Sequence, residues 1–495
     1  MHYFVSKLLP EERGSIPYLP TTADLLTFLE EKYPEQTALS DGDRTVSYRE
    51  LVRHAGCRRS LLAKKGVQPG TNIGILGRNS IEAVEWFLAV TSYGCTAVML
   101  PAVLQPEVLA GAIPFYEIGV VIPDAEQLPK FSNIQVPCIG MTEEDDSPAD
   151  VKAVKKTDRA AIFFTGGTTG KPKGVILSHG AIMRGSMNGT YRPGSMYGQT
   201  LIAVLPFTHV FGLIFSMLSA LYAGSHVAVC GNMNMLFNEM MRVKPTTMIA
   251  VPGMAEIMLN IAKAKGPAVL GGRLKMIICG AAPVPEKLHR EFLQFGVEVL
   301  AGYGMTETAN LVSGNLDMEL HPTSVGCQYP EQEMRVVDGE LQVKGDMLFD
   351  GYWKDPKATD AAFTEDGWLR TGDLARIEPD GFLYIVGRIK NLIILDNGEN
   401  ISPEEVEAFY YRSNLIRDCL CSECVINGKA AIQLEVLANP GIADEDVTKE
   451  TERIGKELPS YMQPAKIVLR HEEFEKSPSM KIIRKQGGSN ASGTH

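Results

Sequence analysis

The stretch over residues 71–101 constrains the fold more than any other part of this sequence. It contains a short apolar strand (71–77), a segment with helical spacing (80–94) and a second apolar strand (96–101). Because a helix that joins two parallel strands packs on the face of their sheet, this pattern predicts a parallel sheet covered by helices. Further apolar strands, each followed by a turn, are predicted at 160–165, 246–252 and 274–283.

The pattern changes in the last third of the chain. Two segments, 333–345 and 374–387, alternate between apolar and polar residues around Asp-Gly turns, which is typical of β-hairpins. A helix is predicted after Ser402, because serine is a good N-cap and Pro403 suits the first helical position. We therefore predict an α/β protein with a large N-terminal body of parallel and mixed sheets, flanking helices, and a small mobile α+β C-terminal domain. The predicted boundaries are 1–387 for the body, 388–391 for a hinge, 392–485 for the small domain and 486–495 for a disordered tail.

Net charge and composition limit the classes of binding partner and the cellular location that the sequence allows. The net charge of −11 argues against nucleic acid or an anionic membrane as the main partner. The longest uncharged apolar stretch, 210–223, is too short to cross a bilayer, so we predict a buried core helix there and no integral membrane segment. The N-terminal residues lack the apolar core of a signal peptide, and the nine cysteines are scattered. Both features favour a cytoplasmic protein.

A glycine- and threonine-rich loop follows the predicted strand at 160–165. Its spacing differs from the common nucleotide P-loop, because only three residues separate Gly166 from Gly170 and Pro172 stands where a magnesium-binding hydroxyl is needed. Consecutive backbone N–H groups in such a turn can still cradle phosphates, and glycines let an anion approach. A plain surface loop is the alternative. The candidate phosphate ligands are Thr165, Gly166, Gly167, Thr168, Thr169, Gly170 and Lys173.

Two further segments carry candidate nucleotide-binding groups. In "AGYGMTET", Tyr303 can stack on a nucleobase, Thr306 can donate to a phosphate, and Glu307 is the hard oxygen ligand that magnesium requires. An ordinary turn is the alternative for this segment. In the last third, Asp373 can accept hydrogen bonds from both hydroxyls of a ribose, and Arg388 lies across the predicted hairpin from it.

These three segments together resemble the adenylate-forming superfamily of acyl–CoA ligases, luciferases and nonribosomal-peptide adenylation domains. Matching segments run in the family's order from about residue 20 to 485, and they are most similar to the fatty acid–CoA ligase branch. The resemblance implies an AMP-forming acid–thiol ligase that uses ATP, Mg²⁺ and, as second substrate, coenzyme A. It also implies that the phosphate loop binds pyrophosphate, which is the leaving group of the adenylation step.

The resemblance assigns roles residue by residue. The phosphate loop would hold the β- and γ-phosphates, Thr306 would contact the α-phosphate, and Glu307 with Thr168 would bind magnesium. Asp373 would take the ribose hydroxyls, with Arg388 beside it. The adenine and AMP surroundings would be formed by Gly280, Ala281, Ala282, Tyr303, Gly304, Met305 and Ile385.

The small domain would supply Lys481 as the catalytic lysine for adenylation and would rotate about Lys390. Two positions depart from the family's pattern: Gly166 stands where serine is usual, and Met480 where glycine normally precedes the lysine. A side chain at a position that needs positive φ is strained, so the second departure bears on where Lys481 lies. A solvated surface lysine is the alternative for Lys481.

The acid would lie against six residues that the resemblance assigns to the acyl pocket: His209, Phe211, Leu213, Gly280, Gly302 and Gly304. No carboxylate occurs over 205–213, where the family's amino-acid activators carry the aspartate that pairs with an ammonium. This argues against an α-amino acid. Phe211, Leu213 and Met305 would form an apolar wall, and with the resemblance they predict an apolar carboxylic acid, fatty or aromatic. His209 occupies the family's gating position and is a candidate catalytic residue; a buried core histidine is the alternative.

We therefore predict an enzyme that activates a small-molecule carboxylic acid with ATP and transfers its acyl group to coenzyme A. An acyl-AMP ligase that loads the phosphopantetheine arm of an acyl carrier protein is the first alternative, since the thiol is chemically the same. A nucleotide-binding sensor without catalysis is the second. Dehydrogenase and serine hydrolase classes are excluded, because the sequence has neither G-x-G-x-x-G nor G-x-S-x-G.

Overall fold

The computed structural model describes residues 2–8, 17–165, 173–191, 198–396, 399–476 and 482–484. Several predicted features lie outside these described residues. They are Gly166, Gly167, Thr168, Thr169 and Gly170 of the phosphate loop, Met480 and Lys481 of the small domain, and the tail 486–495.

The strands up to the phosphate loop and just beyond are β1 (Thr37–Asp41), β2 (Arg44–Ser47), β3 (Asn72–Leu76), β4 (Thr96–Leu100), β5 (Ile118–Pro123), β6 (Arg159–Thr165), β7 (Lys173–Ser178), β8 (Thr200–Ala203) and β9 (His226–Val229). Those of the middle are β10 (Thr247–Ala250), β11 (Met276–Cys279), β12 (Glu298–Gly304), β13 (Leu311–Asn315), β14 (Cys327–Gln328), β15 (Gln332–Val337), β16 (Glu340–Gly345) and β17 (Gly351–Tyr352). The last are β18 (Leu369–Ile377), β19 (Leu383–Arg388), β20 (Ile393–Ile394), β21 (Asn400–Ile401), β22 (Ile416–Ile426), β23 (Lys429–Ala438) and β24 (Lys466–Arg470).

The α-helices between them are α1 (Tyr3–Lys7), α2 (Thr22–Lys32), α3 (Tyr48–Lys64), α4 (Ile81–Ser92), α5 (Pro106–Phe115), α6 (His179–Asn188), α7 (Ser219–Tyr222), α8 (Leu236–Val243), α9 (Pro252–Lys265), α10 (Glu286–Leu293), α11 (Pro356–Ala362), α12 (Pro403–Tyr410) and α13 (Asp444–Gly455). A π-helical segment, Phe211–Leu218, runs directly into α7.

The unit predicted over 71–101 is confirmed. Strands β3 and β4 pair in parallel along their whole length, and both are buried. The connecting helix α4 begins because the Ser80 side chain accepts a hydrogen bond from the N–H of Ala83. These strands belong to a six-stranded sheet with the order β17-β7-β6-β4-β3-β5.

A second, nine-stranded sheet forms the rest of the body's centre, with the order β14-β13-β12-β11-β10-β8-β9-β1-β2. Its middle strands β10, β11 and β12 are parallel and in register, so their carboxyl ends meet at one edge. In open sheets of this kind, ligands bind outside the carboxyl ends of the strands. The predicted strands at 246–252 and 274–283 are confirmed as β10 and β11.

The hairpins predicted after residue 325 are also confirmed. β15 pairs with β16 and β18 with β19, both antiparallel, within a four-stranded sheet. At the first turn Asp338 and Gly339 both adopt positive φ, 51° and 81°, as a two-residue hairpin turn requires.

The small C-terminal unit has an apolar core of its own. Buried residues from Ile393 to Met462 pack together beneath the three-stranded sheet β22-β23-β24 and the helices α12 and α13. The core of the N-terminal body runs from Phe4 to Leu383. The predicted fold class is thus confirmed, while the boundaries at 388–391 and the mobility of the small unit stay predictions.

The apolar stretch 210–223 is buried throughout, as predicted, but most of it is π-helical rather than α-helical. Within the described parts of the chain, no helix has the length and apolarity needed to cross a bilayer. All nine cysteines carry free thiols. The cytoplasmic location stays a prediction.

Candidate active site

Some of the predicted site residues lie where strands of the two large sheets end. Thr165 is the last residue of β6 and lies opposite Lys173, the first residue of β7. The phosphate loop therefore joins two antiparallel neighbours at this edge. Gly280 follows the last residue of β11, and Gly304 ends β12.

The best-defined group is an ion pair on the hairpin formed by β18 and β19. Asp373 lies directly opposite Arg388 in this ladder, and the Arg388 Nε is 2.7 Å from Asp373 Oδ1. The Tyr303 hydroxyl donates to Asp373 Oδ2 at 2.5 Å. Burial tends to lower the pKa of Arg388, but the Asp373 carboxylate and neighbouring groups raise it overall, so the guanidinium keeps its charge.

The arrangement suits Asp373 for a ribose. Its side chain is only 2% exposed, yet each carboxylate oxygen can accept a second hydrogen bond. The Thr371 hydroxyl accepts from the N–H of Asp373 at 3.1 Å and fixes the backbone there. The structure therefore brings Tyr303, from one predicted segment, to the pair Asp373 and Arg388, from another.

Glu307 lies just past β12, in the short 3-10 turn Thr306–Thr308. The turn is tight because the Thr308 hydroxyl accepts from the N–H of Met305, and a Cβ at Gly304 would lie 2.1 Å from the carbonyl oxygen of Asn310. Only glycine fits at that position. Thr306 itself is half-buried at the start of the turn.

The Glu307 carboxylate fits a hard cation. It is 7% exposed, its Oε1 accepts a hydrogen bond from the Tyr352 hydroxyl at 2.8 Å, and burial raises its pKa. Among the residues that the structure describes, none forms an ion pair with Glu307. A buried carboxylate without a close positive partner is the kind of ligand that magnesium binds. Thr168, the second predicted ligand, lies outside the described residues.

The segment after β11 has an unusual backbone conformation at Ala281. Ala281 has φ of +68°, a left-handed conformation that costs free energy for a residue with a Cβ. Ala281 and Ala282 are half-buried, as are Met305 and, on β19, Ile385. Strain at this position, beside the strand ends, is consistent with the predicted nucleotide contact.

Two residues predicted for the acyl pocket, Phe211 and Leu213, are apolar and buried. Phe211 and Leu213 are buried in the π-helical segment, and a Cβ at Gly280 would lie 3.0 Å from Phe211 Cζ. A Cβ at Gly302 would lie 2.5 Å from Leu311 Cδ1, so this glycine is also closely packed. The structure thus places Phe211 directly against Gly280, as the pocket prediction requires.

His209 lies just before the π-helical segment and is exposed, which disfavours the alternative of a buried core histidine. Neighbouring protein atoms partly desolvate its imidazole, and this desolvation lowers its pKa. A histidine with a lowered pKa is neutral at pH 7. A neutral, accessible imidazole beside an apolar wall suits the predicted gating role, which stays a prediction.

Two residues that the sequence reasoning missed support these groups. The Asn79 side chain donates to the carbonyl of Leu205 at 2.8 Å and accepts from the N–H of Phe207 at 2.9 Å, which fixes the turn before His209. Its position just after β3 is the only sequence signal for it. Tyr352, the partner of Glu307, lies 45 positions from it in sequence and gives no local signal.

The predicted hinge residue Lys390 is exposed in a 3-10 turn, Ile389–Asn391, that directly follows Arg388. Burial, and then the nearby Arg388 charge, lower the pKa of Lys390. The Ser402 hydroxyl donates to the carbonyl of Val386 at 2.6 Å, and the Asn391 side chain donates to Glu404 at 2.5 Å. These two hydrogen bonds connect the end of the body to the first helix of the small unit.

The fold and the site together define an adenylate-forming enzyme, and the resemblance seen in the sequence is confirmed. The sequence model of the AMP-binding enzyme family matches residues 29–353, well over half of the chain, and this protein belongs to that family. A similar relative is the 4-coumarate–CoA ligase-like 6 protein of Arabidopsis thaliana. It is 28% identical over 528 residues, with 95% of this chain and 91% of that protein covered.

Two solved structures of o-succinylbenzoate CoA synthetase from Bacillus subtilis are similar in fold. The complex with its acyl-adenylate intermediate superimposes with a TM-score of 0.80 at 25% identity, covering 92% of this chain and 96% of the synthetase. The complex with ATP and a magnesium ion gives a TM-score of 0.79 at 25% identity, covering 92% and 98%. Both synthetase complexes therefore share nearly the whole architecture described above.

Proposed function

We propose that this protein is an AMP-forming acid–CoA ligase. It would activate a carboxylic acid with ATP to an acyl-adenylate, release pyrophosphate, and pass the acyl group to the thiol of coenzyme A. The observation that carries the proposal is the group formed by Tyr303, Asp373 and Arg388 in an AMP-binding enzyme. The acyl-adenylate, ATP and magnesium bound by the similar synthetase support the same chemistry.

In the first step, one oxygen of the substrate carboxylate attacks the α-phosphorus of ATP, and the bond to pyrophosphate breaks. Asp373 would hold the ribose, Ala281 and its neighbours would line the adenine, and Thr306 would donate to the α-phosphate. Lys481 would stabilise the charge that develops there, since preorganised positive charge at a reacting phosphate lowers the barrier. Magnesium, when bound to Glu307, supplies additional positive charge on the phosphates.

In the second step, the coenzyme A sulfur attacks the acyl carbon as its thiol proton leaves. The carbon–oxygen bond of the anhydride breaks, and AMP departs with the oxygen that came from the carboxylate. The first step would need Lys481 in the site, and the second would need the thiol to reach the acyl carbon there. We therefore propose that the small unit rotates about Lys390 between the two steps, a change of a kind common in multidomain enzymes.

The substrate class is proposed to be an apolar carboxylic acid, with aromatic acids foremost. Phe211 and Leu213 are buried apolar residues, and no carboxylate occurs over 205–213 to pair with the ammonium of an amino acid. The relative from Arabidopsis thaliana is named as a coumarate–CoA ligase-like protein, which also favours an aromatic acid.

A panel of acids tests this proposal. We expect pyrophosphate release with aromatic and aliphatic acids to exceed that with any α-amino acid, because burying an ammonium without a partner costs several kcal/mol. The measurement is pyrophosphate release at saturating ATP, followed by mass spectrometry of the thioester formed with coenzyme A.

Other results of these experiments would favour a different acceptor, a different function or a different substrate class. If the thioester formed only on a carrier protein, the acyl acceptor would be that protein rather than coenzyme A. Nucleotide binding without pyrophosphate release for any acid would support the non-catalytic sensor. Strong release with amino acids alone would overturn the substrate class.

A further inference from the structure

Tyr352 lies between two parts of the candidate site, the Glu307 carboxylate and the strand β7 that follows the phosphate loop. It belongs to the two-residue strand β17, which pairs antiparallel with β7, and it lies opposite Val175 in this ladder. β7 is the strand that leaves the phosphate loop. The pairing therefore holds Tyr352 beside the exit of that loop.

The Tyr352 side chain contacts a group on each side. Its hydroxyl donates to Glu307 Oε1 at 2.8 Å, and the ammonium of Lys173 lies 4.7 Å from the centroid of its ring. An ammonium over an aromatic face is attracted by the ring's negative face.

The backbone around Tyr352 is held firmly. Its N–H donates to the Thr359 hydroxyl at 2.9 Å, and a Cβ at the preceding Gly351 would lie 2.7 Å from Thr359 Cγ2. The ring of Phe349 meets the Tyr352 ring edge-on at 4.9 Å, and the N–H of Phe349 donates to the backbone carbonyl of Glu307 at 2.9 Å. The segment 349–352 thus fixes the Tyr352 ring and also holds the backbone of Glu307, whose carboxylate accepts from the Tyr352 hydroxyl.

We propose that Tyr352 is a positioning residue that sets the geometry of the Glu307 carboxylate through its hydroxyl and of Lys173 through its ring. The proposal rests on the function proposed above, in which Glu307 binds magnesium and the loop holds pyrophosphate. A hydrogen bond to one carboxylate oxygen restricts rotation and presents the carboxylate to a cation in one orientation. Partners of this kind typically tune metal affinity even though they do not touch the metal.

The two contacts can be separated by substitution. Tyr352→Phe keeps the ring over Lys173 and removes the hydroxyl, whereas Tyr352→Leu removes both. Tyr93→Phe is the matched control, because it removes a single buried hydroxyl that donates to the carbonyl of Val67 at 3.0 Å, at the C-terminal end of α4 and next to the amino end of β4. Glu307→Gln is the reference for loss of the metal ligand itself.

The readouts are binding measurements that do not depend on turnover. Mn²⁺ binding is followed by the electron paramagnetic resonance signal of the free ion, in the presence of α,β-methylene-ATP. Inorganic pyrophosphate binding is followed by calorimetry in EDTA. Thermal unfolding of each variant shows whether it is folded.

We expect Tyr352→Phe to weaken Mn²⁺ binding by roughly tenfold, with pyrophosphate affinity unchanged. Tyr352→Leu should weaken both, Glu307→Gln should weaken Mn²⁺ binding at least as much, and Tyr93→Phe neither. Tyr352→Phe with wild-type Mn²⁺ affinity, beside a weakened Glu307→Gln, would overturn the positioning role and leave the proposed function intact. If Glu307→Gln bound Mn²⁺ as tightly as the wild type, Glu307 would not be a metal ligand and the inference about Tyr352 would be overturned. If the wild-type protein formed no thioester, the proposed function would be overturned instead.

Discussion

Replacing Lys481 with alanine is expected to slow acyl-adenylate formation by about 10²–10³-fold, the usual cost of losing one preorganised charge contact made in the transition state. Lys481 is proposed to reach the α-phosphate only in the first step. The same variant, supplied with synthetic acyl-AMP, should therefore transfer the acyl group to coenzyme A at close to the wild-type rate. The measurements are single-turnover pyrophosphate release and thioester formation from acyl-AMP.

Lys476→Ala is the matched control for this prediction. The Lys476 ammonium lies 2.8 Å from Asp418 Oδ2, an ion pair within the small unit, so its loss should leave both steps near the wild-type rate. Equal slowing of both steps by Lys481→Ala would contradict the two-conformation mechanism. A wild-type first step would show that Met480 places the lysine out of reach.

Replacing Asp373 with alanine is expected to raise the KM for ATP strongly. The ribose would lose a charge-assisted hydrogen-bonding partner, a loss of about 1.5–3 kcal/mol that corresponds to roughly 10- to 100-fold in affinity. The same change leaves the Arg388 guanidinium and the Tyr303 hydroxyl without their shared acceptor. The measurement is the ATP dependence of pyrophosphate release at saturating acid.

Asp373→Asn controls for shape, because the amide has nearly the same size but lacks the charge that pairs with Arg388. We expect its KM for ATP to lie between those of the wild type and Asp373→Ala. The KM for the acid should change little in both variants, since Asp373 is proposed to contact only the nucleotide. An ATP KM for Asp373→Ala within about twofold of the wild type would remove Asp373 from the ribose site.

Much of the fold could be predicted because its signals are local. The strands β3 and β4 and the helix between them follow from the spacing of apolar residues, and the turn at Asp338-Gly339 follows from the positive φ that this dipeptide tolerates. The π-helical geometry of Phe211–Leu218 could not be predicted, since its apolar residues fit a buried α-helix equally well.

The candidate site could be predicted only in part. Asp373 and Arg388 are close in sequence across a hairpin, so their pairing followed from the turn. The hydrogen bond from Tyr303 to Asp373 depends on how two different sheets meet, and no local pattern records it. The Tyr352–Glu307 contact likewise depends on the pairing of β17 with β7. The catalytic and binding roles of all these residues, and of Lys481 and Thr168, stay predictions.

The central claim is that an acyl-adenylate links ATP cleavage to thioester formation, and isotope transfer tests it most directly. An acid labelled with ¹⁸O in its carboxylate is converted with ATP and coenzyme A, and the products are analysed by mass spectrometry. Attack of the carboxylate on the α-phosphorus predicts one ¹⁸O in AMP and none in pyrophosphate. Label in inorganic phosphate with formation of ADP would show an acyl phosphate instead, and would contradict the account.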